Sequence, residues 1–328
     1  MTASRSSDAA QAAAPPPTAS TAAAPPGGPR GGSPAGSIYD LGYRRYEGVR
    51  LGRRHAIRAL YIYSLRGAFG IGRSGRAKIA PFGLAFLALL PALIAVGIAA
   101  LTTQAGVGSR VESPIRYATY LAFSQTVLVL FCAAQAPELV GRDQRYTVLP
   151  LYFSRALRRS DYALAKLAAL WTALALVFLA PEALIFAGRV LASNDVATAL
   201  VDNLPAIPPI LAVTVVTALV LGGISLSVAS FTPRRAYATA AIVAAFVIPP
   251  IVAAIIAELS GGAFATVAAL LDPTDLLDGA NAWLFGGSAG NEVLTASSLP
   301  AQAYVPVLAA YVLVTIAATL RRYQRISA

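Results

Sequence analysis

Six long apolar stretches constrain this chain more than any other feature of its sequence. They cover about residues 80–101, 117–139, 163–187, 206–231, 236–257 and 301–320. Roughly 20 helical residues cross the ~30 Å hydrocarbon core of a bilayer, and a backbone without internal hydrogen bonds is too costly there. The sequence therefore predicts an all-α polytopic membrane protein with six transmembrane helices.

The composition agrees with a membrane location. Hydrophobic residues make up 57% of the 328 residues, and charged residues only 12%, whereas soluble domains carry about 25% charged residues. So few charges cannot cover a water-exposed surface, and the apolar side chains are expected to face lipid.

The basic residues predict the orientation of the spans. If the N-terminus is cytoplasmic and the chain alternates, all but three of the 26 Lys and Arg residues fall in cytoplasmic segments. The three exceptions are Arg110, Arg116 and Arg189. This asymmetry is typical of the positive-inside rule, so we expect both termini in the cytoplasm of a multi-pass cell-membrane protein. The rule accounts for the net charge of +11 without a nucleic-acid partner.

Three regions are predicted along the chain. Residues 1–37 form an Ala/Pro-rich tail that cannot bury enough surface to fold, and they show no signal-peptide core. Residues 38–79 form a basic cytoplasmic segment, and residues 80–328 form the transmembrane domain, with a long acidic outer loop over 258–300. An apolar stripe at helical spacing over 53–70 indicates an amphipathic helix on the cytoplasmic leaflet, and the alternative is an ordinary basic linker.

The sequence contains few residues suited to catalysis. The sequence contains no GxxxxGK[ST] loop, so the chain cannot cradle nucleotide phosphates by that motif. Its only histidine is His55 and its only cysteine is Cys132, which leaves no His- or Cys-based metal cluster. A membrane-embedded enzyme would need polar residues clustered at one depth. We therefore expect no enzyme activity, no cofactor and no metal.

Two glutamates follow prolines in the spans. Glu182 follows Pro181 about 28 Å along the third span by helical rise, which places it near the outer interface. It is either an interfacial residue or part of a substrate path, as ionisable groups in spans often are. Glu138 follows Pro137 at the inner end of the second span, where Arg142 stands at the favourable i,i+4 spacing.

The fourth span carries two pairs of small residues four positions apart, Ala218 with Gly222 and Gly223 with Ser227. Such residues let helix backbones approach closely in membranes. The alternative is that they simply reflect an Ala-rich chain.

The predicted cytoplasmic loop over 138–166 combines dense charge with an apolar and aromatic centre over 148–153. A segment that only joined two spans would not need this centre. Charged surroundings with an apolar core indicate a docking surface for another protein.

This loop resembles the permease subunits of ABC-2 type ABC transporters, in particular actinobacterial-type members. The similarity rests on the P-E-L-[IV]-x-x-D-x-R pattern at Pro137–Arg145, on L-P-L-Y-x-S-R at Leu149–Arg155, and on D-Y-x-x-x-K at Asp161–Lys166. Tyr39–Gly48 and Asp272–Gly286 add to it, so the resemblance covers most of residues 38–325.

The resemblance implies a membrane-spanning permease subunit of an ATP-driven transporter, and export as its direction. A separate cytoplasmic ATPase subunit would bind the 138–166 loop, and a second permease subunit, alike or different, would complete the path through the lipid bilayer. The contact residues implied are Glu138, Arg142, Asp143, Arg145, Leu149, Tyr152, Arg155 and Asp161. The alternative is a scaffold or a secondary carrier outside the ABC class.

Overall fold

The computed structural model of the chain describes residues 47–48, 51–105, 117–154, 157–193, 195–260, 262–288, 290 and 292–325. The chain divides into two compact units, Met1–Val49 and Arg50–Ala328, and the described helices belong to the second. In chain order they are α1 (Gly52–Ala68), α2 (Gly75–Gln104), α3 (Tyr117–Arg145), α4 (Leu149–Phe153), α5 (Arg159–Leu191), α6 (Val196–Asn203), α7 (Ile207–Ser230), α8 (Arg235–Leu259), α9 (Ala263–Leu271), α10 (Pro273–Leu284), α11 (Glu292–Ala296) and α12 (Tyr304–Arg325).

Helices α2, α3, α5, α7, α8 and α12 are long and apolar enough to cross a membrane, which confirms the six predicted spans. Most of them extend past a predicted end by up to about two turns, whereas α7 lies within its predicted span. Helix α6 and a 3-10 turn over Leu204–Ala206 lead directly into α7. No strand occurs among the described residues, so the all-α fold class is also confirmed.

Helices α5 and α7 form the centre of the bundle. In the most apolar 18-residue stretch of each span, 56% of α5 and 67% of the segment Val196–Ser230 is buried inside the protein. The corresponding share is 17% for α2 and for α8. The outer helices expose large apolar side chains such as Phe86, Ile94 and Ile251. Exposed apolar surface of this extent is unusual in soluble proteins, so these faces suit lipid or another membrane-spanning subunit.

Helix α1 uses its apolar face against the bundle. Leu60 and Ala68 are buried, and Ile57 and Leu65 are half-buried against the core. The hydroxyl of Tyr61 donates to Thr172 Oγ1 of α5 at 3.0 Å. The helix predicted over 53–70 is therefore present with the predicted stripe, and the stripe is covered by protein. Its placement on the cytoplasmic leaflet stays a prediction.

The predicted outer loop over 258–300 is folded into three short helices, α9, α10 and α11. Helix α10 is fastened to α3, because Gln125 Nε2 donates to the Thr274 carbonyl at 3.0 Å and Asn281 Nδ2 donates to the Ala118 carbonyl at 2.6 Å. Asp272 caps α10 by accepting from the backbone N–H of Thr274 at 2.8 Å. This region thus forms part of the bundle.

Several sequence predictions fall outside the described residues. They concern the disordered tail over 1–37, the Tyr39–Gly48 motif apart from its last two residues, and the docking residue Arg155. The cytoplasmic location of both termini also stays a prediction.

Candidate functional site

One end of the bundle brings together the ends of several helices. Gln144 Nε2 of α3 donates to the Ser230 carbonyl of α7 at 3.0 Å and to the Tyr323 hydroxyl of α12 at 3.1 Å. Arg159 of α5 donates to the Gln324 carbonyl of α12 at 2.8 Å. We call this part of the molecule the basic end; it consists of the helix ends at Arg145, Arg159, Ser230, Arg235 and Arg325 and of helix α4.

Helix α4 forms the centre of the connection between α3 and α5. The chain leaves α3 through Thr147, which adopts a left-handed φ of 51°, a conformation uncommon for residues other than glycine. Leu149 is buried at the start of α4. Tyr152 lies 5.5 Å from the Tyr162 ring, and Tyr162 lies 5.1 Å from Tyr323. The aromatic rings thus fix α4 against α5 and α12.

Glu138 joins three segments at the basic end. One of its carboxylate oxygens pairs with Arg73, before α2, at 2.8 Å, and the other pairs with Arg235, at the start of α8, at 2.6 Å. The sequence suggested Arg142 as its partner at i,i+4. Helix α3 does continue through Arg142, but both oxygens of Glu138 are occupied by guanidinium groups from elsewhere in the fold.

Two further carboxylates link the α3–α5 connection to helices α1 and α5. Asp143 pairs with Lys166 Nζ at 2.8 Å and accepts from the Tyr162 hydroxyl at 2.7 Å. Asp161 receives two hydrogen bonds from Arg53 of α1, at 2.6 and 2.7 Å, in the bidentate geometry that favours Arg–carboxylate pairs. Because the Lys166 side chain is only 3% exposed, Asp143 supplies the compensating charge that a buried ammonium requires.

A pocket of about 360 Å³ opens between α1, α3 and α4. Tyr63, Arg142, Tyr146, Leu151 and Tyr152 are among its lining residues. Leu151 and Tyr146 are 67% and 63% exposed. Burial, and secondarily the negative charge of Asp143, raises the pKa of Tyr152 to about 12, so its hydroxyl stays protonated at neutral pH. The pocket therefore combines aromatic, aliphatic and cationic groups at an accessible surface.

The described docking residues fall into three groups by exposure and contacts. Arg142 and Arg145 are exposed and can reach a partner protein. Tyr152 is half-buried at the pocket wall. The remaining described members are occupied within the chain, by ion pairs or by packing: Glu138, Asp143, Leu149 and Asp161. Their part in docking stays a prediction, and their contacts indicate that they hold the surface in place.

Sequence patterns did not identify the residues that complete these contacts. Arg53, Arg73 and Arg235 each pair with a carboxylate of the connection. Tyr63 and Tyr146 extend the exposed pocket wall. All except Tyr146 lie far from the loop in sequence, so no local pattern identifies them. Tyr146 is inside the loop, and an aromatic residue close to Arg142 and Arg145 is a pattern that could have identified it as part of the docking surface.

Glu182 lies away from the basic end, in the interior of the bundle. The residue is only 2% exposed, and its Oε2 has no hydrogen-bond partner within the part of the chain that the structure describes. Arg189 lies two turns further along α5, and its guanidinium stands 4.6 Å from the centre of the Tyr117 ring. A buried carboxyl oxygen without a hydrogen bond is costly. This favours a substrate-path or ion-binding role over the interfacial alternative, and the assignment stays a prediction.

Comparison with protein-family models and with curated proteins finds no match for this chain. Within the described residues, no three His, Cys, Asp or Glu side chains come together as a metal site. The geometry of the basic end and the burial of Glu182 are therefore the features that bear on function.

Proposed function

We propose that this chain is the membrane-spanning permease subunit of an ATP-driven ABC transporter of the ABC-2 type. A separate ATPase subunit docks on the basic end, and a second permease subunit completes the translocation path. ATP hydrolysis belongs to the partner, since the sequence has no phosphate-binding loop of its own. Export is the expected direction.

The arrangement of the connection between α3 and α5 carries this proposal. Its exposed side chains Arg142, Tyr146 and Leu151 line a pocket suited to a protein side chain, and Arg145 is exposed next to Tyr146 in the chain. Its inward carboxylates, Glu138 and Asp161, are bonded to segments that lead into α2, α8 and α1. Ion pairs therefore connect this surface directly to several helices. Movement of a docked ATPase subunit would be transmitted through them, as coupling to a transmembrane path requires.

Co-purification with an ATPase tests the proposal. The chain is co-expressed with the ATPase encoded beside it, identified by a GxxxxGK[ST] loop, and the amount retained and its ATPase rate are measured. Reversing the two exposed charges, as R142E/R145E, is expected to weaken retention by about 10-fold or more, because like charges across an interface cost several kcal/mol.

The matched control is R321E/R325E. Both residues are exposed arginines near the end of α12, so this variant makes the same charge change at the same end of the bundle. It should retain the ATPase as the wild-type chain does. Equal loss in the two variants, or wild-type retention by R142E/R145E, would contradict docking at the α3–α5 connection.

A secondary carrier or a non-transporting scaffold is the alternative, and Glu182 is the observation that favours a carrier. Buried ionisable groups in spans commonly serve proton or ion relays. The chain reconstituted alone in liposomes, without any ATPase, would then show proton flux that E182Q removes. Under the permease proposal, both the wild-type chain and E182Q are silent in this assay.

A further inference from the structure

A second cavity runs along α1 and shares Tyr63, Gly67 and Arg73 with the pocket between α1, α3 and α4, here called the α4 pocket. It has a volume of about 620 Å³, within the range of small-ligand sites. His55, Arg58, Ile62, Tyr63, Gly67 and Ile71 are among the residues that line it, together with Arg66, Gly72 and Arg73. We call this cavity the α1 groove.

The groove is built by a tight reversal of the chain. Helix α1 ends in a Schellman motif, in which Gly70 N–H bonds to the Gly67 carbonyl at 3.0 Å and Ile71 N–H bonds to the Arg66 carbonyl at 2.9 Å. Gly70 has a φ of +67°, and a Cβ there would lie 2.5 Å from the Ala77 carbonyl oxygen. Only glycine fits this position. The reversal holds the segment after α1 beside the last turns of the helix.

The positive charge of the groove is largely uncompensated. Arg58 and Arg66 are exposed, and neither forms an ion pair with the described carboxylates. Arg73 does pair with Glu138, but the second oxygen of that glutamate is taken by Arg235. The groove thus offers two free guanidinium groups, which bind phosphate through paired N–H donors.

Apolar side chains stand beside these guanidinium groups. Ile62 and Ile71 are exposed at 41% and 42%. Helix α2 begins a few residues later, at Gly75, and exposes Ile79 and Phe82. The groove therefore lies beside the start of a helix that is apolar enough to cross a membrane, where lipid headgroups are expected. A soluble anion would contact only the guanidinium groups, whereas an amphiphile would contact both the guanidinium groups and the apolar side chains.

We propose that the α1 groove binds the phosphate-bearing headgroup of an anionic phospholipid. Arg58 and Arg66 contact the phosphate, and Ile62 and Ile71 pack against the glycerol backbone and the first methylenes of the acyl chains. Free phosphate and the lipid headgroup carry the same anionic group. The apolar side chains beside the guanidinium groups favour the lipid. This inference is independent of the proposed transport function, because it requires neither an ATPase nor a second subunit.

Lipid binding to the purified full-length chain in detergent tests the proposal. Phosphatidylglycerol is added, and its binding is measured by native mass spectrometry and by the shift in thermal unfolding. Phosphatidylcholine, inorganic phosphate and glycerophosphoglycerol are the comparison probes. Removing both charges, as R58Q/R66Q, should weaken phosphatidylglycerol binding by about 10-fold or more, given the contribution of each basic residue to anionic-lipid binding.

The matched control is R54Q/R76Q. Arg54 and Arg76 are exposed arginines on α1 and α2 that do not line the groove, so the same charge is removed nearby, and binding should fall by less than about 3-fold. Far-UV circular dichroism and gel filtration confirm that both variants are folded. Equal weakening in the two variants would overturn the groove as the site. Competition by glycerophosphoglycerol or phosphate at concentrations similar to the lipid would overturn the lipid assignment.

Discussion

Asp278, in the middle of α10, has an environment that favours its protonated form. It is half-buried, its Oδ1 has no hydrogen-bond partner among the described residues, and Asp272 caps the start of the same short helix. Burial, and secondarily the Asp272 charge, raises the pKa of Asp278 to about 7. In the unfolded chain this carboxyl loses its proton near pH 4.

The stability of the protein should therefore fall as the pH rises through 7. Between about pH 4 and pH 7 the folded protein holds a proton that the unfolded chain does not, and this contribution is lost above the folded pKa. We expect the protein in detergent to be more stable at about pH 5.5 than at pH 8 by about 1–2 kcal/mol, measured by thermal unfolding. D278N should remove this part of the pH dependence.

The control for this measurement is D195N. Asp195 caps α6, and the hydrogen bonds from Thr198 lower its pKa, so it is ionised throughout this pH range. D195N should lower stability equally at both pH values and leave the slope unchanged. A D278N variant with the full wild-type slope would show that other groups cause the pH dependence.

Helix α7 packs closely on its neighbours through its glycines. A Cβ built on Gly222 would lie 2.8 Å from Trp171 Cδ1 and 3.0 Å from Leu174 Cδ1 of α5. Such distances are too short for carbon atoms in a packed interior, and the large ring of Trp171 has little room to shift. The small residues predicted to allow close approach do so at this position.

G222A is expected to destabilise the bundle by about 1–3 kcal/mol, the usual cost of overpacking a filled core. Thermal unfolding in detergent measures this loss. G97A on α2 is the matched control, because a Cβ there meets no atom within 4 Å, and it should be neutral or slightly stabilising. If both variants unfold like the wild type, α5 and α7 have more space between them than these distances imply.

The spans were predictable from the sequence, and the polar contacts between them were not. Each apolar stretch is long enough to specify a membrane helix without knowledge of its neighbours. The pairing of Glu138 with Arg73 and Arg235 depends instead on how three distant segments are arranged. The i,i+4 rule suggested Arg142, since it considers one helix alone, and the tertiary arrangement supplied better-placed partners.

The acidic outer segment is a second region whose tertiary contacts could not be predicted from the sequence. Acidic residues without Lys or Arg, between two apolar stretches, predicted an outer loop over 258–300, and the segment is largely helical. Helix α10 is held by side-chain amides of Gln125 and Asn281 that bond to backbone carbonyls across the interface with α3. Single polar residues of this kind carry no periodic signal, so sequence patterns could not place α10 inside the bundle.

The bundle as a whole has two chemically different ends, and this difference predicts its orientation in the membrane. The basic end carries Arg142, Arg145, Arg235, Arg321 and Arg325. The other end carries the acidic segment with α9–α11, which contains no Lys or Arg. Because positively charged segments are retained on the cytoplasmic side, we expect the basic end and both termini in the cytoplasm.

Labelling of single cysteines tests this orientation directly. The one native cysteine, Cys132, is buried, so C132A provides a background without thiols. Ser154, after α4, and Ser288, after α10, are both exposed, and each is replaced by cysteine, which is nearly the same size. A membrane-impermeant maleimide applied to intact cells should label S288C and should reach S154C only after the membrane is permeabilised. The reverse pattern would place the α4 pocket outside the cell, where no ATP-driven subunit could act on it, and the permease proposal would fail with the orientation.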